Sequence, residues 1–261
     1  MNLSKTSRKS KKLTILVTND DGYFSAGINA LAKELRKFAH VYVVAPDREQ
    51  SASSHSLTLN RPLRVQKIAT DWYAIDGTPT DSVMLAVHLF FKKRRPDIIV
   101  SGINHGPNMG DDVTYSGTIA AAIEGSYLRI PSIAVSMNDY VPNMPLHRAA
   151  QFVAKLVKAY PKLKLDPSVL LNVNFPKDNG RPYNKFLFTS LGIRRYRDVI
   201  YRKTDPRGKH YYWIGGTPKW QKKPGSDFDA VSKGKVSISP LRPDFEEAES
   251  LEQLSKMTIK L

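Results

Sequence analysis

Leu13-Thr-Ile-Leu-Val-Thr18, running straight into Asn19-Asp-Asp-Gly22, is the stretch whose reading decides the fold. Six uncharged residues rich in β-branched side chains suit a strand buried on both faces. The polar quartet that follows breaks the strand as a turn. Ser25 is placed to cap a helix in which Ile28, Leu31, Ala32, Leu35 and Phe38 fall on one face. Val41–Ala45 reads as a second buried strand, stopped by Pro46, and a long polar loop spans Asp47–Ser56.

The same alternation continues outward. Trp72–Ile75 reads as a strand with Asp76-Gly77 as its turn, and Thr80–Phe91 as a helix with Val83, Met84, Val87, Phe90 and Phe91 mostly inward. Asp97–Val100 is a further apolar strand, Ser101–Gly117 a loop dense in Gly, Asn, Ser and Asp, and Thr118–Leu128 a helix of small residues. Ile133–Ser136 and Leu170–Val173 are two more strands around a helix at about 147–159. Strand and helix in alternation indicate an α/β fold, a mostly parallel sheet with helices on both faces. After about residue 185 aromatics, arginines and glycines from Arg194 to Trp220 suggest long β-hairpins. Val236–Ser239 reads as one more strand and about 245–257 as a terminal helix. The division expected is a basic disordered tail at 1–12 and a catalytic core at 13–185. Residues 186–261 then supply a projecting hairpin arm, a core-completing strand at about 236–240 and a C-terminal helix.

The 261 residues include 41% hydrophobic and 25% charged side chains, which allows an ordinary packed core. No apolar run is long enough to cross a bilayer, and no signal-peptide h-region follows the basic start. The chain contains no cysteine, which excludes disulfides, thiolate metal sites and a cysteine nucleophile, and fits a cytoplasmic protein. The net charge of +16 is concentrated in two places. One is Lys5, Arg8, Lys9, Lys11 and Lys12; the other is the run of lysines and arginines from Lys185 to Lys223, opposed by Asp198 and Asp205. Such clusters raise the local concentration of anions, whether polynucleotide, membrane headgroup or small phosphorylated substrate.

In an open α/β sheet, ligands bind beyond the carboxyl ends of the strands. Three polar loops leave from that end. They carry Asp20 and Asp21; Ser51 and His55; and Asn104, His105, Asn108, Ser116 and Thr118. Adjacent carboxylates repel unless something positive lies between them, and a divalent cation is the economical solution. Carboxylate, hydroxyl and amide oxygens are hard ligands, favouring Mg²⁺, Mn²⁺ or Ca²⁺ over Zn²⁺. Ser116-Gly117-Thr118 opens a helix, where free N–H groups and the dipole receive a phosphate. Neither a Walker loop nor a G-x-G-x-x-G pattern is present, so the cradle is of another kind.

Five spaced blocks carry a resemblance. They are Thr18-Asn-Asp-Asp-Gly22; Ala45-Pro46-Asp47 with Ser51 and His55-Ser56; Gly77-Thr78-Pro79; Ser101-Gly-Ile-Asn104; and Ser116-Gly-Thr118. In this order, from about residue 13 to 175, they resemble the survival protein E (SurE) nucleotidase family, and Val236–Pro240 resembles its last core strand. The resemblance implies a Rossmann-like three-layer core, a divalent metal and release of phosphate from nucleoside 5′- or 3′-monophosphates, with some members cutting short polyphosphate. Matched by motif, the metal ligands are Asp20, Asp21, Ser51 and Asn104. The resemblance also implies a homodimer or homotetramer joined through the extended C-terminal arm. His105 departs from it, standing where many members carry arginine.

The mechanism expected is in-line attack on phosphorus by a metal-activated water. Asp20 and Asp21 hold the metal, and one of them orients or deprotonates the water. Asn108, Ser116, Gly117 and Thr118 are the expected phosphate-side donors. His55 has two readings, protonation of the leaving oxygen or ordering of its loop by hydrogen bonding. Tyr196, Tyr201, Tyr211, Tyr212 and Trp213 interleave with arginines, as in a base-stacking surface, but they also suit strand pairing in a hairpin or a subunit interface, and the interface is the reading favoured. Two rivals stand beside this reading. A haloacid-dehalogenase-type phosphatase needs two aspartates spaced two apart, whereas here they are adjacent. A basic nucleic-acid-binding protein without catalytic activity is the other, motivated by the charge and the arginine- and tyrosine-rich arm.

Overall fold

The computed structural model describes residues 12–138, 145–196, 199–215, 218–246 and 248–257. All of the expected basic tail except Lys12 lies outside the described residues. A nine-stranded sheet forms the centre, in the order β3-β4-β2-β1-β5-β6-β7-β13-β8. Its parallel heart consists of β4 (Trp72–Ile75), β2 (Ala39–Pro46), β1 (Leu13–Thr18), β5 (Ile98–His105), β6 (Ser132–Met137) and β7 (Leu170–Phe175). At one edge β3 (Val65–Ala69) runs antiparallel to β4. At the other, β13 (Val236–Leu241) runs antiparallel to β7 and parallel to the edge strand β8 (Phe186–Phe188).

Chain order reverses at β1, which has β2 on one side and β5 on the other. That is the topological switch point at which open α/β sheets hold ligands. Alternation along β1 fills both layers. Ile15 and Val17 pack with Ile28, Leu31 and Leu35 of α1 (Ala26–Leu35) and with Val153 and Val157 of α4 (His147–Leu163). Leu16 points to the opposite face, with Val83 and Ala86 of α2 (Pro79–Phe90) and Ala121 of α3 (Gly117–Tyr127). The three-layer α/β reading therefore holds. Ser25 caps α1 by accepting from Ile28 N, and Thr78 and Asp81 form a reciprocal capping box at α2.

The segment read as a loop from Ser101 needs correction. β5 continues through His105, with Ser101 opposite Ala134 and Asn104 opposite Ser136 of β6. Backbone pairing keeps this polar stretch in the sheet, with a register shift between Ser101 and Asn104. The true loop begins at Gly106 and includes a 3-10 turn, Gly110–Thr114. The fourth helix also runs to Leu163, beyond the expected 159.

Three elements escaped the sequence. β3 is exposed along its whole length and β8 is three residues long, so neither has a burial pattern to read. The short α5 (Asp227–Ser232), capped by Ser226, lies between the expected hairpins and the strand at 236, where no element is expected from the sequence. The arm is a long hairpin in two stretches. β9 (Ile193–Tyr196) pairs with β12 (Pro218–Gln221), and β10 (Val199–Thr204) pairs with β11 (His210–Gly215). The terminal helix is α6 (Ala248–Ser255).

Candidate active site

Asp20 and Asp21 stand at the carboxyl end of β1, Asp20 almost fully buried. The Asp20 carboxylate lies against the first turn of α3. Thr118 donates its hydroxyl to Asp20 Oδ1, and its backbone amide also serves that carboxylate. A side chain at Gly117 would come 2.9 Å from Asp20 Cβ and 2.8 Å from Ser53 Oγ. Glycine is thus what lets the helix N-terminus, with its positive dipole end, approach the acid this closely.

Burial still dominates. It pushes the Asp20 carboxyl up to about 6 against the lowering effect of Thr118, and the Asp21 charge pushes in the same direction. Burial also pushes Asp21 up to about 6, opposed by a backbone hydrogen bond from His105 and helped by Glu49. Asp21 Oδ2 and the neighbouring Asn19 Oδ1 are buried without a hydrogen-bond partner among the described residues. Two desolvated carboxylates with an unanswered oxygen are the electrostatic complement of a cation. Among the described residues no three His, Asp or Glu side chains gather as a metal cluster. The acidic pair would therefore need neutral oxygens to complete a shell, as hard cations accept.

Ser51 and Asn104 lie on the segments that border the pair. Gln50 N donates to Asp20 O at 2.8 Å, tying the residue before Ser51 to the acidic turn. Ser51 is exposed and its hydroxyl donates to Glu49 Oε1 at 2.6 Å. Asn104 precedes His105, whose Nδ1 lies 3.7 Å from Asp21 Oδ1, and its Nδ2 donates to Gly106 O at 2.9 Å. Burial lowers the His105 pKa, while the charges of Asp20 and Glu49 raise it.

The expected phosphate-side donors divide into two groups. Ser116 caps α3 by accepting from Ile119 N at 3.1 Å, which leaves its own hydroxyl proton for another acceptor. Gly117 is the first residue of α3, where backbone N–H groups have no intrahelical acceptor. The Thr118 hydroxyl, in contrast, is already given to Asp20. Asn108 is buried in an amide cluster. Its Nδ2 donates to Ser136 Oγ at 2.8 Å, its N to Asn174 Oδ1 at 2.9 Å, and its carbonyl accepts from Asn172 and Asn174. This cluster pins the loop after β5 to the ends of β6 and β7. The spacing Asn172-Val-Asn174, two amides on one face of a buried strand, was the readable signal for it.

His55 Nε2 lies 3.0 Å from Glu124 Oε2 on α3. The arm is joined to the site through Asp227, which accepts from Gly110 N and Gly192 N at 2.8 Å each. Arg194 adds an ion pair to Asp112. Ser53, Glu124 and Asp227 were all missed by sequence reasoning; only tertiary packing brings them to the site.

The fold and this rim define an α/β protein with an acidic switch-point site faced by a helix N-terminus. Residues 15–198 match the family model described as survival protein SurE, and the chain belongs to that family. It is 45% identical over 250 residues to the 5′-nucleotidase SurE of Anaeromyxobacter dehalogenans, covering 95% of this chain and 96% of that one. Identity to the 5′-nucleotidase SurE of Geotalea daltonii is 46% over 250 residues, covering 95% and 100% respectively. The crystal structure of the SurE protein from Aquifex aeolicus superposes with a TM-score of 0.83 at 40% identity, covering 93% of this chain and 98% of that one.

Proposed function

We propose that the chain is a 5′-nucleotidase that hydrolyses nucleoside 5′-monophosphates to nucleoside and phosphate, using a divalent cation held by Asp20, Asp21, Ser51 and Asn104. The observation that carries the reading is the pair of desolvated carboxylates at the end of β1, both raised to about 6 by burial, with Asp20 set against the N-terminus of α3. Relatives covering nearly the whole chain and bearing the name 5′-nucleotidase support the substrate class. A bound Mg²⁺ or Mn²⁺ supplies charge for the phosphoryl oxygens and acidifies an attacking water.

The residues of the chain do the rest. Asp20 and Asp21 would hold the cation, and one of them would orient the water or take its proton. Thr118 fixes the Asp20 carboxylate plane through its hydroxyl. The Gly117 amide and the Ser116 hydroxyl face the phosphoryl group at the dipole end of α3. Asn108 anchors the loop that frames this cradle. We extend the proposal to 3′-monophosphates and the ends of short polyphosphate, since the cradle recognises a phosphoryl group rather than a base. We further propose that the protein works in the cytoplasm as a homodimer or homotetramer joined by the arm. Ile200, Tyr201, Tyr212, Trp213 and Ile214 on that arm are exposed, and among the described residues no helix is long and apolar enough to cross a membrane.

The test is direct. Protein stripped with chelator and resupplied with Mg²⁺ or Mn²⁺ should release phosphate from AMP. Asp20→Asn and Asp21→Asn should each lower kcat/KM by about three orders of magnitude or more, a loss on the scale of removing a principal charge-stabilising group. Full activity in either variant would end the assignment. Steeply salt-dependent polynucleotide binding with no phosphate release from any nucleotide would favour the nucleic-acid-binding alternative.

A further inference from the structure

The loop from Asp47 to Ser56, which carries Ser51, is held in a conformation its sequence does not favour. Ala52 and Ser54 both adopt left-handed backbone, with φ of 56° and 51°. Neither is glycine, and such backbone costs about 1–2 kcal/mol per L-residue. Bonds to two other elements oppose this cost. Gln50 N donates to Asp20 O at 2.8 Å, Ser54 N to Tyr115 O at 3.2 Å, and Ser54 Oγ to Thr114 O at 2.7 Å. The last fastening is made by side chains. His55 Nε2 donates to Glu124 Oε2 at 3.0 Å, with the Glu124 side chain only 8% exposed and the imidazole packed against the Tyr127 ring.

Glu124 is on the same helix whose first turn receives Asp20. Through α3, the strained loop and the acidic turn therefore share one rigid reference. We infer that His55 and Glu124 form a positioning latch, holding residues 51–54 in their strained shape so that Ser51 is presented to the acidic pair. Neither residue touches the reacting atoms in this role. A buried carboxylate without its imidazole partner would be left unsatisfied, and the loop without its latch would relax toward ordinary backbone. This inference rests on the site reading above for its catalytic consequence, but not for the conformational one.

The experiment therefore has two readouts. In metal-free protein, amide hydrogen exchange at Gln50 and Ser54 should accelerate about tenfold in His55→Phe and in Glu124→Leu, with core β-strand amides unchanged. With Mn²⁺ and AMP, kcat should fall about ten- to hundredfold in both, the loss expected for a displaced positioning group. The double variant should be no worse than either single one, because the two residues act as a unit. His55→Gln and Glu124→Gln, which keep a donor and an acceptor, should recover most of the exchange protection. Unchanged exchange in both latch-breaking variants, or activity losses that multiply in the double variant, would overturn the latch. Absence of nucleotidase activity in the unaltered protein would defeat the functional proposal instead, and the exchange experiment would still decide the latch.

Discussion

At the scale of single residues, the site is organised around a conflict between charge and burial. Asp20 and Asp21 both have their carboxyl groups pushed up to about 6, burial being the largest cause in each. A carboxyl whose folded pKa lies above its unfolded value stabilises the fold below the unfolded pKa, near 4, and loses that contribution as pH rises through about 6. Metal-free protein should therefore become less stable across that interval. Asp20→Asn removes the buried charge while leaving an oxygen to accept from Thr118. In chelator at pH 7.5 this variant should be more stable than the unaltered chain by about 1–3 kcal/mol, since each pKa unit is worth about 1.4 kcal/mol. At pH 4 the difference should vanish. Urea denaturation at the two pH values measures both, and a variant less stable at pH 7.5 would refute the electrostatic account. The same substitution should abolish activity, so stability and function oppose each other at this position.

At the scale of elements, two helices approach the sheet closely enough that small residues decide the geometry. A side chain at Gly27 on α1 would lie 2.1 Å from the carbonyl oxygen of Ile103 in β5. That oxygen belongs to backbone and cannot swing aside, so Gly27→Ala should force α1 off the sheet. We expect a loss of about 2–3 kcal/mol by urea denaturation, the upper range for overpacking. Activity should fall with it, because Ile103 immediately precedes Asn104. An alanine variant of full stability would mean that α1 repacks without disturbing β5. The third helix acts as the common brace. Its first turn receives Asp20, its last turn receives His55 at Glu124, and its inner face packs through Ala121 against the sheet.

At the scale of the whole molecule, the arm is the feature the core does not explain. Ile214 is 94% exposed and Trp213 62% exposed, on a two-stranded hairpin with no apolar layer beneath it among the described residues. Isolated hairpins are marginal in water, so such a ribbon needs a surface to cover it. With a second copy supplying that surface, Trp213→Ser combined with Ile214→Asp should reduce the mass measured by light scattering to that of one chain. An unchanged oligomer would move the interface elsewhere. The arm base is fastened to the site by Asp227, which bonds Gly110 and Gly192 together. Loss of assembly should therefore also lower activity.

How much of this was legible depended on the range of the interactions. The parallel core was readable because β1, β2, β5, β6 and β7 are apolar runs punctuated by turns and capped helices, and those signals are local. The acidic pair was readable too, since two carboxylates at a strand end are conspicuous in any one loop. β3 and β8 were not, being short or exposed edges defined by their neighbours rather than by their own pattern. Nor was the strand character of Ser101–His105, where backbone pairing to β6 overrides a composition that reads as loop. By itself, then, the sequence determined the layers, their order and which loops leave the same rim, because periodic burial is written residue by residue. Only the tertiary structure decided that Thr118 serves Asp20, that Asn108 is locked among Asn172, Asn174 and Ser136, and that His55 meets Glu124. Those partners are separated by 28 to 98 residues along the chain, and their pairing follows from how the helices seat on the sheet.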